Sequence, residues 1–242
     1  MGQTLLQLMQ TVCDEVGLPR PDFITTSTDQ QIRQLLALAN REGREQASAP
    51  EQWPQLRGEQ TITLVNGQAA YNFPSDFESY IPDTIWDRDM RWPVAGPLSA
   101  QEWQFLKSGL INTQPWMRYR VMSGQLYIDP TPTTTTAGQS IVIEYQSKAW
   151  CQSAAGVVQT AWTADTDTFR LPDDIMVLGT KWRFLAAKRM DYSEEKAQWV
   201  AAVDRELARA YVGKTQPLNR ISYSNTLGGW GNVPDGDFPG RT

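Results

Sequence analysis

The chain has 242 residues, 40% of them hydrophobic, which is enough for a buried core in one large domain or two small ones. A formal charge of -5 without any block of Lys or Arg argues against tight binding to nucleic acid through phosphate neutralisation. No histidine is present, so the commonest general base, the commonest zinc ligand and every Ser–His or Cys–His nucleophile pair are absent.

No run of about 18 apolar residues occurs, and Met1 to Val16 carries polar residues where a signal peptide has its apolar centre, so a soluble product that stays in the cytosol is expected. Cys13 and Cys151 lie far apart with no CxxC partner and are expected as two reduced thiols.

The spacing of Leu5, Leu8, Met9, Val12 and Val16 predicts a first helix from Thr4 to Val16, with Gly17 at its exit. Pro19 and Pro21 then hold the chain extended. Ser27 or Thr28 is the expected N-cap of a second helix, with Gln30 or Gln31 as capping-box partner and Ile32, Leu35, Leu36 and Ala39 on one face. It should reach Gln46, before Pro50 and Pro54.

From Glu59 the period becomes alternating. Thr61 to Val65 and Ala70 to Phe73 flank Asn66-Gly67, a dipeptide that supplies the positive φ angles of a two-residue turn, and predict a β-hairpin. Ile81 to Trp86 and Arg91 to Val94 predict a second hairpin around Arg88-Asp89, with Pro93 at a sheet edge. Ser99 and Glu102 form a capping box that opens a short helix through Trp103, Phe105 and Leu106. Strands follow at Trp116 to Val121 and Leu126 to Ile128, joined at Ser123-Gly124, and Asp129-Pro130 ends the run. Thr131 to Gly138 reads as an exposed loop, Ile141 to Tyr145 as a strand, and Phe169 to Leu171 as the strand that closes the sheet. About seven strands, chiefly antiparallel, are expected between two helical pairs.

Pro172 opens a long helix, with Asp173 and Asp174 against its positive end and the stripe Ile175, Leu178, Trp182 and Leu185 facing its neighbours. Ser193 caps the last helix, whose stripe is Val200, Val203, Leu207 and Ala210, and the short loop at Asp191 makes the pair antiparallel. Trp199 lies one residue off that stripe and is the candidate for a contact between subunits. The fold class expected is α+β: an antiparallel bundle of N- and C-terminal helices (1–58 and 172–212), an inserted, mainly antiparallel β domain (59–171), and an extended docking tail (213–242).

Little in the chain points to chemistry. No phosphate loop, dinucleotide fingerprint, nucleophile elbow or HExxH pattern occurs. Asp165-Thr166-Asp167 resembles the opening of a calcium loop but lacks the Gly and the distal Glu, so a hydrogen-bonded turn is expected. Asp83, Asp87 and Asp89 would suit a two-carboxylate glycosidase, against the simpler role of solvated turn residues. Trp86, Trp92, Trp103, Trp116, Trp150 and Trp162 would suit a carbohydrate-binding face, against a role in filling a small β core and subunit contacts. No cofactor, metal or catalytic residue is assigned.

The tail is rich in Gly, Asn, Pro, Ser, Thr and Asp, yet Leu218, Ile221, Tyr223, Leu227, Trp230 and Phe238 stand along it as apolar pegs. Ordering each backbone residue costs about 1–2 kcal/mol, so such a tail is either a frayed terminus or a segment ordered where its pegs dock on a partner. Extended, it spans roughly 100 Å.

Several phrases resemble the head-to-tail adaptor proteins of tailed phages: Thr4-Leu5-Leu6, Leu18-Pro19-Arg20-Pro21, Ser27-Thr28-Asp29 before Arg33-Gln34-Leu35-Leu36, Tyr71-Asn72-Phe73-Pro74, Leu98 to Trp103, Leu171-Pro172-Asp173-Asp174, and Leu178 to Arg183. The resemblance implies a structural protein without enzymatic activity that forms a ring, typically twelvefold, beneath the portal and joins it to a tail or nozzle protein. It implies a C-terminal segment that runs up along the portal. DNA would pass through the channel without specific binding, past acidic walls that repel phosphate, and no membrane would be involved. The expected place is the virion neck, with assembly in the host cytoplasm. A carbohydrate-binding tail component is the alternative, and a glycosidase the third reading.

Overall fold

A computed structural model describes residues 2–49, 53–109 and 116–210. Five helices occur among them: α1 (Leu5–Val16), α2 (Gln30–Ala47), α3 (Ala100–Lys107), α4 (Asp173–Ala187) and α5 (Ser193–Ala210). Thr4 and Gln7 form a capping box at the start of α1, and Gly17, at φ 74°, ends the helix in the left-handed region. At α2 the cap is Asp29 instead of Ser27 or Thr28: its carboxylate accepts from the Gln31 N–H at 2.7 Å, while the Ser27 hydroxyl accepts from the Asp29 N–H. A charged acceptor at the positive helix end takes the cap from the neighbouring hydroxyls. The Ser99–Glu102 capping box of α3 forms as expected.

α4 packs against α1, α2 and α5. It therefore buries Ile175, Met176, Val177, Gly179, Thr180, Arg183 and Phe184. The expected stripe is corrected by this burial: Leu178, Trp182 and Leu185 are only half-buried, because a helix with three neighbours is covered round most of its circumference. The stripe of α5 is also turned, with Trp199, Ala202, Val203 and Leu207 inward and Val200 42% exposed.

Among the described residues eleven strands are formed: β1 (Arg57–Thr63), β2 (Ala70–Asn72), β3 (Phe77–Tyr80), β4 (Trp86–Asp87), β5 (Trp92–Pro93), β6 (Arg118–Met122), β7 (Gln125–Asp129), β8 (Ser140–Ser147), β9 (Cys151–Gln152), β10 (Val158–Gln159) and β11 (Thr168–Phe169). All their pairings are antiparallel. One sheet runs β1-β8-β4-β5 with β3 also on β8, a second runs β2-β7-β6, and a third runs β10-β9-β11.

The Asn66-Gly67 hairpin does not form. β1 pairs with β8 over seven residues, from Arg57↔Gln146 to Thr63↔Ser140, while β2 pairs with β7 in another sheet. The dipeptide still turns, with Gly67 at φ 79°, but it makes a corner between two sheets. The Tyr71 hydroxyl closes that corner by donating to the Gln68 carbonyl and accepting from the Val65 N–H. β7 decides the outcome: β2 pairs with it in another sheet while β1 pairs with the almost wholly buried β8, and long-range pairing outweighs a local turn preference. The hairpins β4–β5 and β6–β7 form as expected, with Pro93 on the edge strand.

Two cores result within the compact unit Met1–Ala210. One lies between the first two sheets and is built on Ile62, Leu64, Tyr71, Tyr119, Leu126, Ile128, Ile141 and Ile143. The other lies among the helices and takes in the third sheet. Phe169 does not close the main sheet; it pairs with Cys151 and, with Trp150 and Trp162, joins the helical core. Trp150 meets Trp162 edge to face at 5.1 Å. Its indole also lies on Gly43 of α2, where a Cβ would stand 2.3 Å from the ring.

Gly43→Ala should therefore destabilise the fold by about 1–3 kcal/mol through overpacking, measured by urea unfolding. Burial pushes the thiols up, with Asp14 adding for Cys13 (to about 11) and Asp167 for Cys151 (to about 12). Both should stay unreactive toward a disulfide reagent at pH 8 until the chain is unfolded.

Candidate functional site

The tail residues Leu218, Ile221, Tyr223, Leu227, Trp230 and Phe238 lie outside the described residues. Trp199 lies within them and joins a buried polar cluster of its own chain, in which Glu42 of α2 is the hub. Its side chain is fully buried and accepts three hydrogen bonds from three residues, Arg183 Nε at 2.9 Å, Trp199 Nε1 at 2.9 Å and Gln46 Nε2 at 3.0 Å, while a second Arg183 nitrogen forms an ion pair with it at 2.6 Å. Arg183 also reaches Glu45 at 2.7 Å, and its guanidinium stacks on the Trp182 ring at 4.3 Å. Trp182 in turn packs on Trp199 and Tyr192.

Gly179 makes this approach possible, since a Cβ there would stand 2.3 Å from the Glu42 carboxyl carbon. Burial pushes the Glu42 carboxyl up, and the Arg183 charge with the Trp199, Arg183 and Gln46 donors opposes that rise. With its acceptors filled and no exposure, Glu42 is a tie between helices and not a proton-transfer group. Sequence reasoning missed Glu42, Arg183, Gly43 and Gly179. The available signal was two glycines inside otherwise regular helical patterns.

Four of the five other carboxylates singled out from the sequence as candidates for chemistry, Asp87, Asp89, Asp165 and Asp167, are also engaged. Asp87 was expected as a solvated turn residue, but it is 2% exposed. Its Oδ1 accepts from the Asp89 and Met90 N–H groups, and Asp89 accepts from the Ser140 N–H. The turn thus fastens to β8, which is why Asp87 is drawn inside. Asp83 is exposed. Asp165 accepts from the Ile24 and Thr25 N–H groups at 3.0 and 2.8 Å and from the Thr25 hydroxyl at 2.8 Å. Asp167 accepts from the Thr163 N–H and hydroxyl and from the Ala164 N–H. These are the hydrogen-bonded turns expected there. Among the described residues, no group of three or more Cys, Asp or Glu could hold a metal ion, and no helix is long and apolar enough to cross a membrane.

Three kinds of surface stay open. Trp92, 41% exposed, stacks on Trp116 with ring centroids 4.3 Å apart, whereas Trp103, Trp150 and Trp162 are buried. The outer face of α5 presents Ala197, Val200 and Ala201 between Lys196 and Asp204. The outer edge of β1 faces away from the rest of its sheet.

The family model described as SU10 adaptor protein matches residues 3–226, nearly the whole chain. Comparison with curated proteins gives no match.

Arg183→Ala leaves a buried carboxylate without its charge partner and should cost about 3–5 kcal/mol. Trp199→Phe removes one donor to that carboxylate and should cost about 1.5–3 kcal/mol, both read by urea unfolding. Burial acts to raise the Asp165 carboxyl, but the Thr25 and Ile24 donors outweigh it and hold it below its ordinary value. A depressed folded pKa contributes stability that is present above the unfolded value and lost as pH falls through the folded one. Asp165→Asn should therefore lower stability by about 1–3 kcal/mol at pH 7 and shrink the loss of stability seen below about pH 4.

Proposed function

Since the chain belongs to the SU10 adaptor protein family, we propose that it is a structural head-to-tail adaptor of a phage virion, a ring of identical subunits that binds the portal and joins it to the tail. The family match over residues 3–226 carries this reading. The described carboxylates support it, because those that are buried tie the chain to itself. Function is left to surfaces, as in an assembly protein.

A ring closes through a heterologous contact, one face of a subunit meeting a different face of the next. The outer face of α5, with Ala197, Val200 and Ala201 flanked by Lys196 and Asp204, suits one such face. Trp199 is the subunit-contact residue expected from the sequence. It also donates a hydrogen bond to Glu42, which holds α5 in place to present that face. The acidic balance of the chain suits walls that let DNA slide without holding it. The tail pegs Tyr223, Trp230 and Phe238 are the first residues to assign to the portal, and neck assembly takes place in the host cytoplasm.

A second reading, a glycan-binding tail component, is favoured by one observation, the exposed Trp92 stacked on Trp116. A glycan-array signal that disappears in Trp92→Ala would support it.

Mixing the chain with its cognate portal protein should give a ring complex by negative-stain microscopy and native mass spectrometry. A chain that stays monomeric and ignores the portal would sink the adaptor reading. Removing residues 213–242 should leave the melting temperature nearly unchanged and abolish portal binding, whereas unfolding on removal would show that the tail belongs to its own chain's core.

A further inference from the structure

β1 is the longest strand at a sheet edge, and its outer side is open. In an antiparallel ladder alternate residues turn their N–H and C=O toward the partner. On the far side of β8, the Glu144 and Ser140 carbonyls accept from the Ile81 and Arg88 N–H groups. The β8 residues facing β1 are therefore Ile141, Ile143 and Tyr145, opposite Ile62, Gln60 and Gly58. It follows that the main-chain groups of Glu59, Thr61 and Thr63 point out of the sheet, and among the described residues nothing bonds them. All three residues are exposed.

Edge strands are ordinarily protected by proline, lysine, a bulge or a covering element. β1 has neither proline nor lysine, and its register with β8 runs without a shift. Its two faces differ. Arg57, Glu59, Thr61 and Thr63 make an exposed polar face, and Gly58, Gln60 and Ile62 turn toward the core side.

One stretch of the tail has the same two-faced pattern. Between Pro217 and Gly228-Gly229, the run Leu218 to Leu227 contains neither glycine nor proline. Within it Ile221, Tyr223, Asn225 and Leu227 alternate with Arg220, Ser222, Ser224 and Thr226, the period of a strand with one apolar face. We propose that Leu218 to Leu227 of one copy adds as a strand to the β1 edge of a second copy, a proposal that rests on the ring reading. Ser222, Ser224 and Thr226 then continue the polar face of β1, with Arg220 on the same side as Glu59. Ile221, Tyr223 and Leu227 extend the side that carries Ile62. Main-chain bonds give affinity and the alternate side chains fix the register. Seven residues separate Ala210 from Leu218, and at about 3.3 Å per residue they can reach roughly 25 Å. Trp230 and Phe238 are left free to continue to the portal, and Tyr223 passes from the portal to the neighbouring copy.

Disulfide trapping between full-length chains tests this. One chain carries Thr61→Cys, and the other carries Ser222→Cys, Ser224→Cys or Thr226→Cys, with the native thiols buried. One register should trap a dimer of different chains about tenfold faster than an Asp237→Cys control, since docking raises the local thiol concentration. Thr61→Pro, which removes an outward N–H and leaves the β8 ladder intact, should abolish trapping through Thr63→Cys without changing the melting temperature by more than a few degrees.

Equal trapping at every position, indifference to Thr61→Pro, or cross-linking within a single chain that carries both cysteines would each overturn the proposal. Rings seen on the portal without trapping would overturn strand addition alone. Trapped pairs from a chain that never forms rings would keep strand addition and remove the ring.

Discussion

The helical part of this protein depends on one interaction, the buried pair of Glu42 and Arg183. A carboxylate withdrawn from water tolerates few alternatives to a full set of donors, so α2, α4 and α5 must each bring a group to the same point. α2 brings Glu42 and Gln46, α4 brings Arg183, and α5 brings Trp199. This requirement sets the rotation of α4: Met176, Gly179, Thr180 and Arg183 share the buried side, and Gly179 is the residue that lets the Glu42 side chain lie against the helix backbone. It sets the rotation of α5 as well. Trp199 has to point inward to donate, which turns Val200 to the outside. Replacing such a pair by apolar side chains of equal volume is often neutral or stabilising. Its contribution here is orientation, because apolar packing has no comparable demand for direction.

The same pair explains which parts of the bundle were legible in the sequence. α1 and α3 announce themselves through caps and period, and the start of α4 through Pro172 and its acidic first turn, since those signals are local. The stripes of α4 and α5 were misread because periodicity treats charge as surface, and here Arg183 and Glu42 are core. The two clues were Gly43 and Gly179. A glycine inside a helix costs about 1 kcal/mol relative to alanine, so each implied a close approach, to Trp150 in one case and to Glu42 in the other. Neither could name its partner, which lies more than a hundred residues away in the chain.

In the β region, turns were legible and partners were not. Ser123-Gly124 and Arg88-Asp89 turn between strands that pair with each other, so local sequence was enough. Asn66-Gly67 turns just as clearly, but its flanking strands are claimed by β8 and β7, and nothing near the turn records that competition. Two-residue strands such as β9, β10 and β11 carry no period at all, and they form because Trp150, Cys151 and Phe169 are drawn into the helical core. Of the candidate interface, the tail pegs could be read from the sequence, whereas the outer faces of α5 and β1 became defined only when packing had decided what lay inside.

That order of events bears on how such a subunit assembles. A strand edge that pairs with a copy of itself gives an isologous contact, which ends at a dimer. An edge that receives a different segment gives a heterologous contact, in which each copy still has one donor and one acceptor free, so addition continues until the rotation closes. The described residues supply the acceptor because β2 pairs with β7 and leaves one side of the β8-paired β1 unoccupied. Had Thr61 to Val65 folded back on Ala70 to Phe73, Ala70 to Phe73 would have taken a side of β1. The long-range pairing leaves that side open, and with it a place for another chain to enter.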